Sequence, residues 1–166
     1  SMTLAENIAL PLTAHTPLSA KEIADLVSLK LALVGLSGFE SFYPAEISGG
    51  MQKRAALARA LALDPEILLF DEPSAGLDPI SARRLDRLIV HLSESLGITA
   101  VIVTHDLASL LDIGTNSVFL DTETKTIIAK GPPDMLLRTS THPTVKEFLT
   151  RGQSKRTATS AREASR

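Results

Sequence analysis

The sequence of 166 residues contains no cysteine and no tryptophan, and aromatic residues make up only 4% of it. The absence of cysteine excludes disulfides, thiolate metal sites and cysteine nucleophiles, and it suits a reducing compartment. A strong charge of either sign is also missing, because the formal net charge is −2. Surfaces that bind nucleic acid carry a clear basic excess, so nucleic acid is disfavoured as a partner.

Long apolar runs are missing as well. No stretch of the sequence approaches the roughly 18 to 20 apolar residues that a membrane-spanning helix needs. Residues 1–6 also lack the basic and then apolar pattern of a signal peptide. What is present is an ordinary globular composition, 44% hydrophobic and 22% charged, which predicts one domain with a real core.

Two apolar runs have the pattern of buried strands that end in polar residues. Run 67–70 leads into Asp71 and Glu72, and run 99–103 leads toward His105. The segment between them has the apolar spacing of a helix. Strand, helix and strand predict a right-handed βαβ unit of a parallel sheet, with both polar ends at one edge. We therefore expect Glu72 and His105 to be neighbours.

The other segments predict helices before this unit and a hairpin after it. A short helix over 4–10 is expected to end at Pro11, and Ser19 with Glu22 has the spacing of a capping box. Strong helix formers fill 52–63. The later predicted elements are a helix over 80–96, hairpin strands over 117–120 and 126–129, and short helices near 134–138 and 144–149.

Two groups of residues have the pattern of a phosphate site. Ser48, Gly49 and Gly50 precede a predicted helix, where free amides and the helix dipole attract an anion, although such a segment by itself is more often a plain helix cap. Asp71 and Glu72 read alone indicate a solvated strand end. In the functional interpretation Asp71 holds Mg²⁺ through water, and Glu72 activates the water that attacks a γ-phosphate.

His105 and Asp78 also have two interpretations each. A histidine by itself is more often structural or exposed, but at a strand tip His105 would hydrogen-bond the γ-phosphate and fix the attacking water. Asp78 by default forms a turn or caps the next helix. Its functional interpretation is a role at a subunit contact.

Four segments, taken in order and spacing, resemble the motifs of the ATP-binding-cassette (ABC) ATPases. They are 47–51 as the signature, 67–72 as Walker B, 74–79 as the D-loop and His105 as the switch histidine. The resemblance extends over about 3–149. Met51, which stands where Gln is commonest, and the segments 52–65 and 142–149 are similar to the Mla/Mce-associated branch, whose members energise phospholipid or lipid transport at bacterial envelopes.

The resemblance implies a cofactor pair, ATP and Mg²⁺, and a role for each motif residue. It implies that Ser48, Gly49 and Gly50 contact the γ-phosphate bound by the opposite subunit. It assigns the metal to Asp71, the general base to Glu72, γ-phosphate sensing to His105 and further nucleotide-site positions to Met51 and Asp78. The implied partners are a second ATPase subunit in a head-to-tail homodimer and a membrane permease that holds the protein at the cytoplasmic face of the cell membrane.

The implied fold class is α/β, an incomplete P-loop NTPase core made of a parallel βαβ unit and a C-terminal hairpin, with a helical signature subdomain. We expect the helical subdomain at 3–66, the partial RecA-like core at 67–150 and a polar tail at 151–166. Two alternatives stay open: an ABC-type ATPase of DNA repair or translation, and a non-catalytic interaction fragment. The near-neutral charge argues against the repair type, and the presence of Glu72 and His105 argues against a decayed site.

The phosphate-gripping loop of a complete ABC ATPase is not found here, because the sequence contains no Gly-Lys pair. The adenine-stacking aromatic and the Q-loop glutamine would also lie upstream. We therefore expect the C-terminal part of an ATPase domain that alone is nucleotide-free and inactive. The loss of upstream strands would expose apolar faces and favour self-association.

Overall fold

The computed structural model describes residues 2–150, and the chain divides into two compact units between Val103 and Thr104. The first unit holds helices α1 (Leu4–His15), α2 (Ala20–Leu33), α3 (Gly49–Ala60) and α4 (Pro79–Leu96), a 3-10 turn at Pro44–Glu46, and parallel strands β1 (Ile67–Asp71) and β2 (Thr99–Val103). The predicted α/β class is confirmed. Within residues 2–150, no helix is both long and apolar enough to cross a lipid bilayer.

The second unit contains α5 (Leu107–Ile113), an antiparallel hairpin of β3 (Ser117–Leu120) and β4 (Ile127–Gly131), α6 (Pro133–Thr139) and a helix over 143–150. Its core is built from Leu107, Leu136, Val145 and Leu149. The predicted hairpin and the helices after it are confirmed. The seven-residue α5 was not predicted, and the predicted tail at 151–166 lies outside the described residues.

Helix α1 continues past Pro11, so its predicted end at that residue is wrong. A proline inside a helix removes one hydrogen bond and costs about 3 kcal/mol. Beyond it, Leu12 is only 1% exposed and continues the buried face of Leu4 and Ile8. Burying a leucine is worth about 1.5 to 3 kcal/mol, so core packing largely offsets the proline.

Helices α2 and α3 begin at serine caps. The predicted capping box is present, because the Glu22 amide donates to Ser19 Oγ at 3.4 Å and the Ser19 amide donates to Glu22 Oε2 at 2.8 Å. Helix α3 begins at Gly49 and ends at Ala60, three residues before each predicted boundary, since Ser48 already caps its first turn. After α3, Asp64 forms an ion pair with the buried ammonium of Lys30.

Strands β1 and β2 pair in parallel, with Asp71 opposite Val103. One face of this sheet, which includes Leu68 and Phe70, packs into the core with Leu85 of α4. The opposite face is exposed, although the apolar pattern of 67–70 had indicated buried strands. We call it the exposed sheet face, and it consists of Ile67, Leu69, Val101 and Val103.

Candidate functional site

The start of α3 gathers backbone amides at one point of the first unit. Ser48 is the N-cap, and its Oγ accepts a hydrogen bond from the Met51 amide at 3.3 Å. Gly49 and Gly50 are the first two residues of the helix, so their amides lie in the turn that has no carbonyl partners within the helix. Met51 is half-buried and packs against the core. The helix dipole adds partial positive charge at this end.

The fold itself does not require glycine at the start of α3. A Cβ added at Gly49 would stand 3.8 Å from Leu77 Cδ2, and one added at Gly50 would stand 3.9 Å from Ser81 Cβ. Both are ordinary van der Waals distances, and neither glycine has a positive φ. Glycine nevertheless weakens a helix relative to alanine. No steric contact among the described residues 2–103 explains this cost.

The connection from β1 to α4 and the first turn of α4 lie beside the start of α3, since a Cβ added at Gly49 would meet Leu77 and one added at Gly50 would meet Ser81. Asp78 caps α4, and its Oδ1 accepts hydrogen bonds of 3.0 Å from the amides of Ile80 and Ser81. Hydrogen bonding, first from the Ser81 side chain and then from its amide, lowers the pKa of Asp78 below the usual value. The cap role is thus present in the structure. The predicted role at a subunit contact remains a prediction.

Asp71 and Glu72 leave the end of β1 in different environments. Asp71 is exposed and follows Ile67 and Leu69 along one face of the strand, whereas Glu72 is half-buried. Glu72 has φ +48°, a left-handed conformation that costs a residue with a Cβ about 1 to 2 kcal/mol. Its amide donates to the Val103 carbonyl at 2.9 Å, which fixes this turn against the end of β2. Backbone strain of this kind is often concentrated at functional sites.

Asp71 alone cannot complete the coordination of a metal ion at this strand end. Across residues 2–150, no three His, Asp or Glu side chains are gathered closely enough to hold a metal ion. Mg²⁺ is commonly held by one or two carboxylates together with waters and substrate phosphates. The exposed carboxylate of Asp71 fits such a shared site.

His105 belongs to the second unit, in the loop between β2 and α5. It is exposed, and the next residue, Asp106, caps α5 by accepting a hydrogen bond of 2.9 Å from the Ala108 amide. The Asp106 amide in turn donates to Thr104 Oγ1 at 3.0 Å. The expectation that His105 is a neighbour of Glu72 remains a prediction.

Three polar side chains of α3 donate hydrogen bonds to other segments of the first unit. From the sequence, these three residues were predicted only to favour a helix. Gln52 donates to the carbonyls of residues 44 and 47, Arg54 to those of residues 34 and 35, and Arg59 to the Asn7 side chain. The sequence carries no local signal for these bonds, because the acceptors meet α3 only in the folded unit.

The chain is similar in sequence to ATP-binding proteins of transport systems. The family described as "ABC transporter" matches residues 1–75. "Probable ribonucleotide transport ATP-binding protein mkl" of Mycobacterium tuberculosis is 47% identical over 149 residues, which cover 90% of this chain and 41% of the relative. "Intermembrane phospholipid transport system ATP-binding protein MlaF" of Escherichia coli is 43% identical over 148 residues, which cover 89% of this chain and 54% of the relative.

A solved structure is similar in fold. It is cbiO1 from Clostridium perfringens, described as part of the ABC transporter complex cbiONQ, with a TM-score of 0.75 and 28% sequence identity. The match covers 83% of this chain and 54% of that chain. The chain therefore spans about half the length of the proteins that it matches, 41% to 54% in these cases.

Proposed function

Because this chain is part of an ABC-type ATP-binding domain, we propose that the complete protein is the ATP-hydrolysing subunit of an ABC transporter. Its cargo in this proposal is phospholipid or another lipid. The name of the Escherichia coli relative, a phospholipid transport protein 43% identical to this chain, supports that choice. The mycobacterial relative is named for ribonucleotide transport, so the cargo needs its own experiment.

The start of α3 is the observation that carries the proposal. Gly49 and Gly50 weaken the helix without relieving any steric conflict within the unit. A ligand that comes close to the backbone explains them, and amides at a helix start favour an anion. We propose that this anion is the γ-phosphate of ATP bound by a second subunit in a head-to-tail homodimer. Ser48 then contacts the same phosphate, with Met51 and Asp78 at the edge of the contact.

The end of β1 supplies the hydrolytic chemistry in this proposal. Glu72 accepts the proton of the attacking water, and its hydrogen bond to Val103 fixes the point where the residue leaves the sheet. Asp71 holds Mg²⁺ through water, and the ion, when bound, neutralises charge on the phosphates. His105 donates a hydrogen bond to the γ-phosphate and orients the attacking water.

The 166 residues do not act alone in this proposal. Segments 3–66 and 67–150 serve as the helical subdomain and the partial ATPase core, and the phosphate-gripping loop is supplied by a part of the complete protein that this sequence does not contain. A membrane permease binds the assembled subunits at the cytoplasmic face of the cell membrane. The isolated chain is then nucleotide-free, inactive and prone to self-association.

Glu72→Gln in the complete protein tests the chemistry. The amide cannot accept the proton, so phosphate release should fall by about a hundredfold or more, while binding of a fluorescent ATP analogue is retained. Glu66→Gln is the matched control, because Glu66 is an exposed glutamate directly before β1. Unchanged turnover in the Glu72 variant would reject the assigned role.

The lipid cargo is tested in vesicles that contain the complete ATPase and its permease. ATP-dependent transfer of a fluorescent phospholipid to acceptor vesicles is expected, and it should stop in the Glu72→Gln variant. Turnover that responds to DNA or ribosomes but not to the permease would instead favour an ABC-type ATPase outside transport.

A further inference from the structure

The side chain of Gln52 joins α3 to the segment that precedes it. Its Nε2 donates to the Pro44 carbonyl at 2.9 Å and to the Ile47 carbonyl at 3.3 Å. The amide of the same residue donates to the Ser48 carbonyl at 2.9 Å. Gln52 thus holds the chain on both sides of the Ser48 cap.

The bond to Ile47 has a consequence for the next amide. A trans peptide is planar, so the C=O of Ile47 and the N–H of Ser48 point in opposite directions. When Gln52 holds the carbonyl toward α3, the Ser48 amide hydrogen points the opposite way within the same plane. The same bond restricts rotation at Ser48 and therefore limits where its hydroxyl can lie.

We propose that Gln52 is a positioning residue that fixes the peptide plane between Ile47 and Ser48 and thereby aims Ser48 at the phosphate. This inference rests on the proposed function, in which Ser48 contacts the nucleotide of the opposite subunit. Gln52 itself touches no reacting atom in this arrangement. It acts as a donor to two carbonyl oxygens, which defines the substitutions that test it.

Three substitutions separate hydrogen bonding from helix stability. Leu, Glu and Arg have helix propensities close to that of Gln, so Gln52→Leu, Gln52→Glu and Gln52→Arg leave the intrinsic helix tendency nearly unchanged. Leu removes the donor, Glu places oxygens against two carbonyl oxygens, and Arg restores a donor. Near a helix N-terminus an acidic residue favours the helix, so helix stability alone would rank Glu above Leu.

The measurement is ATP turnover of the assembled complete protein, together with ATP binding by its separated subunits. Leu removes both side-chain hydrogen bonds, but only the one to Ile47 fixes the peptide before Ser48. Turnover should therefore fall by about threefold to tenfold with Leu, as expected for the loss of that one bond. It should fall further with Glu and recover with Arg. ATP binding by separated subunits should not change, because Ser48 acts on the nucleotide of the partner. Thermal unfolding of each variant checks that the fold is kept.

A charge close to the nucleotide would also change turnover, so charge needs its own control. Ala56 is exposed on α3 one turn after Gln52, and Ala56→Glu and Ala56→Arg carry the same charges without reaching the two carbonyls. Raised ionic strength screens an effect of charge but leaves the effect of the lost donor. We expect small, salt-sensitive changes at Ala56 and a salt-insensitive loss in Gln52→Leu.

The outcomes separate this inference from the proposed function. If Glu72→Gln stops turnover while Gln52→Leu behaves as the wild type, or if Glu outperforms Leu at Gln52, the positioning role is wrong and the proposed function stands. If Arg does not restore turnover and the loss follows thermal stability, the positioning role is also wrong. If the assembled wild-type protein does not hydrolyse ATP, both are overturned.

Discussion

Gly50→Ala is expected to stabilise the chain and to inactivate the complete protein. The new methyl group would stand 3.9 Å from Ser81 Cβ, so no atom has to move to receive it. Alanine in a helix interior is more stable than glycine by about 0.5 to 1 kcal/mol, and the lower value suits a first-turn position. With an m-value of about 2 kcal/mol/M, the midpoint of urea unfolding should rise by about 0.25 M.

Gly50→Ala should lower activity although it raises stability. In the proposed function a phosphate oxygen approaches the backbone at Gly50, and a methyl group would occupy that space. Turnover of the complete protein should then fall by about a hundredfold, the order observed when one such donor is lost. ATP binding by separated subunits should remain, because the contact is made to the nucleotide of the opposite subunit.

Two variants check the reasoning about stability. Gly97 ends α4 with open space around it but with φ +68°, so Gly97→Ala should destabilise the chain by about 1 to 2 kcal/mol. Ala56→Gly, in the interior of α3, should cost about 1 kcal/mol. If Gly50→Ala is destabilising, the steric argument fails. If it stabilises the chain and leaves turnover intact, no ligand approaches this glycine.

Two further predictions concern the exposed sheet face and the cap of α4. Leu69 is 79% exposed, so Leu69→Glu should reduce self-association of the 166-residue chain in light scattering without unfolding it, whereas Leu68→Glu, at 7% exposure, should unfold it. The lowered pKa of Asp78 stabilises the fold above the ordinary aspartate pKa of about 3.9, and this contribution is lost as the pH falls through the lower value of the folded state. Because Asn also caps but does not titrate, the stability advantage of wild type over Asp78→Asn in urea unfolding should shrink below about pH 4. An advantage that does not change between pH 7 and pH 3 would contradict this.

Some features of the fold could be predicted because the sequence carries a direct signal for them. The capping box at Ser19 and the parallel pairing of β1 and β2 follow from side-chain chemistry and from the period of the apolar residues. The end of α1 could not be predicted, because the burial of Leu12 largely offsets the local effect of Pro11. Tertiary packing decided that boundary.

The candidate site also combines features that the sequence predicts with features that only the structure shows. Motif order predicts roles for Ser48 and Glu72, and these roles remain predictions. The structure adds what no motif carries: the left-handed backbone of Glu72 and the closeness of Leu77 to Gly49. The hydrogen bonds that the Gln52 side chain donates could not be predicted. The Pro44 carbonyl lies eight residues before Gln52 in the sequence, and only the fold of the turn between them brings it within reach.

The first turn of α3 shows how a weak helix start is kept in place. Its two glycines, Gly49 and Gly50, cost about 1 kcal/mol together at the lower value that suits a first-turn position. A serine cap contributes about 1 kcal/mol, and a side-chain hydrogen bond such as that of Gln52 contributes about 0.5 to 1.5 kcal/mol. The stabilising values are of the same order as the cost or larger, so the bonds of Ser48 and Gln52 offset the glycines. A variant that removes either bond should therefore loosen this turn before it unfolds the helix.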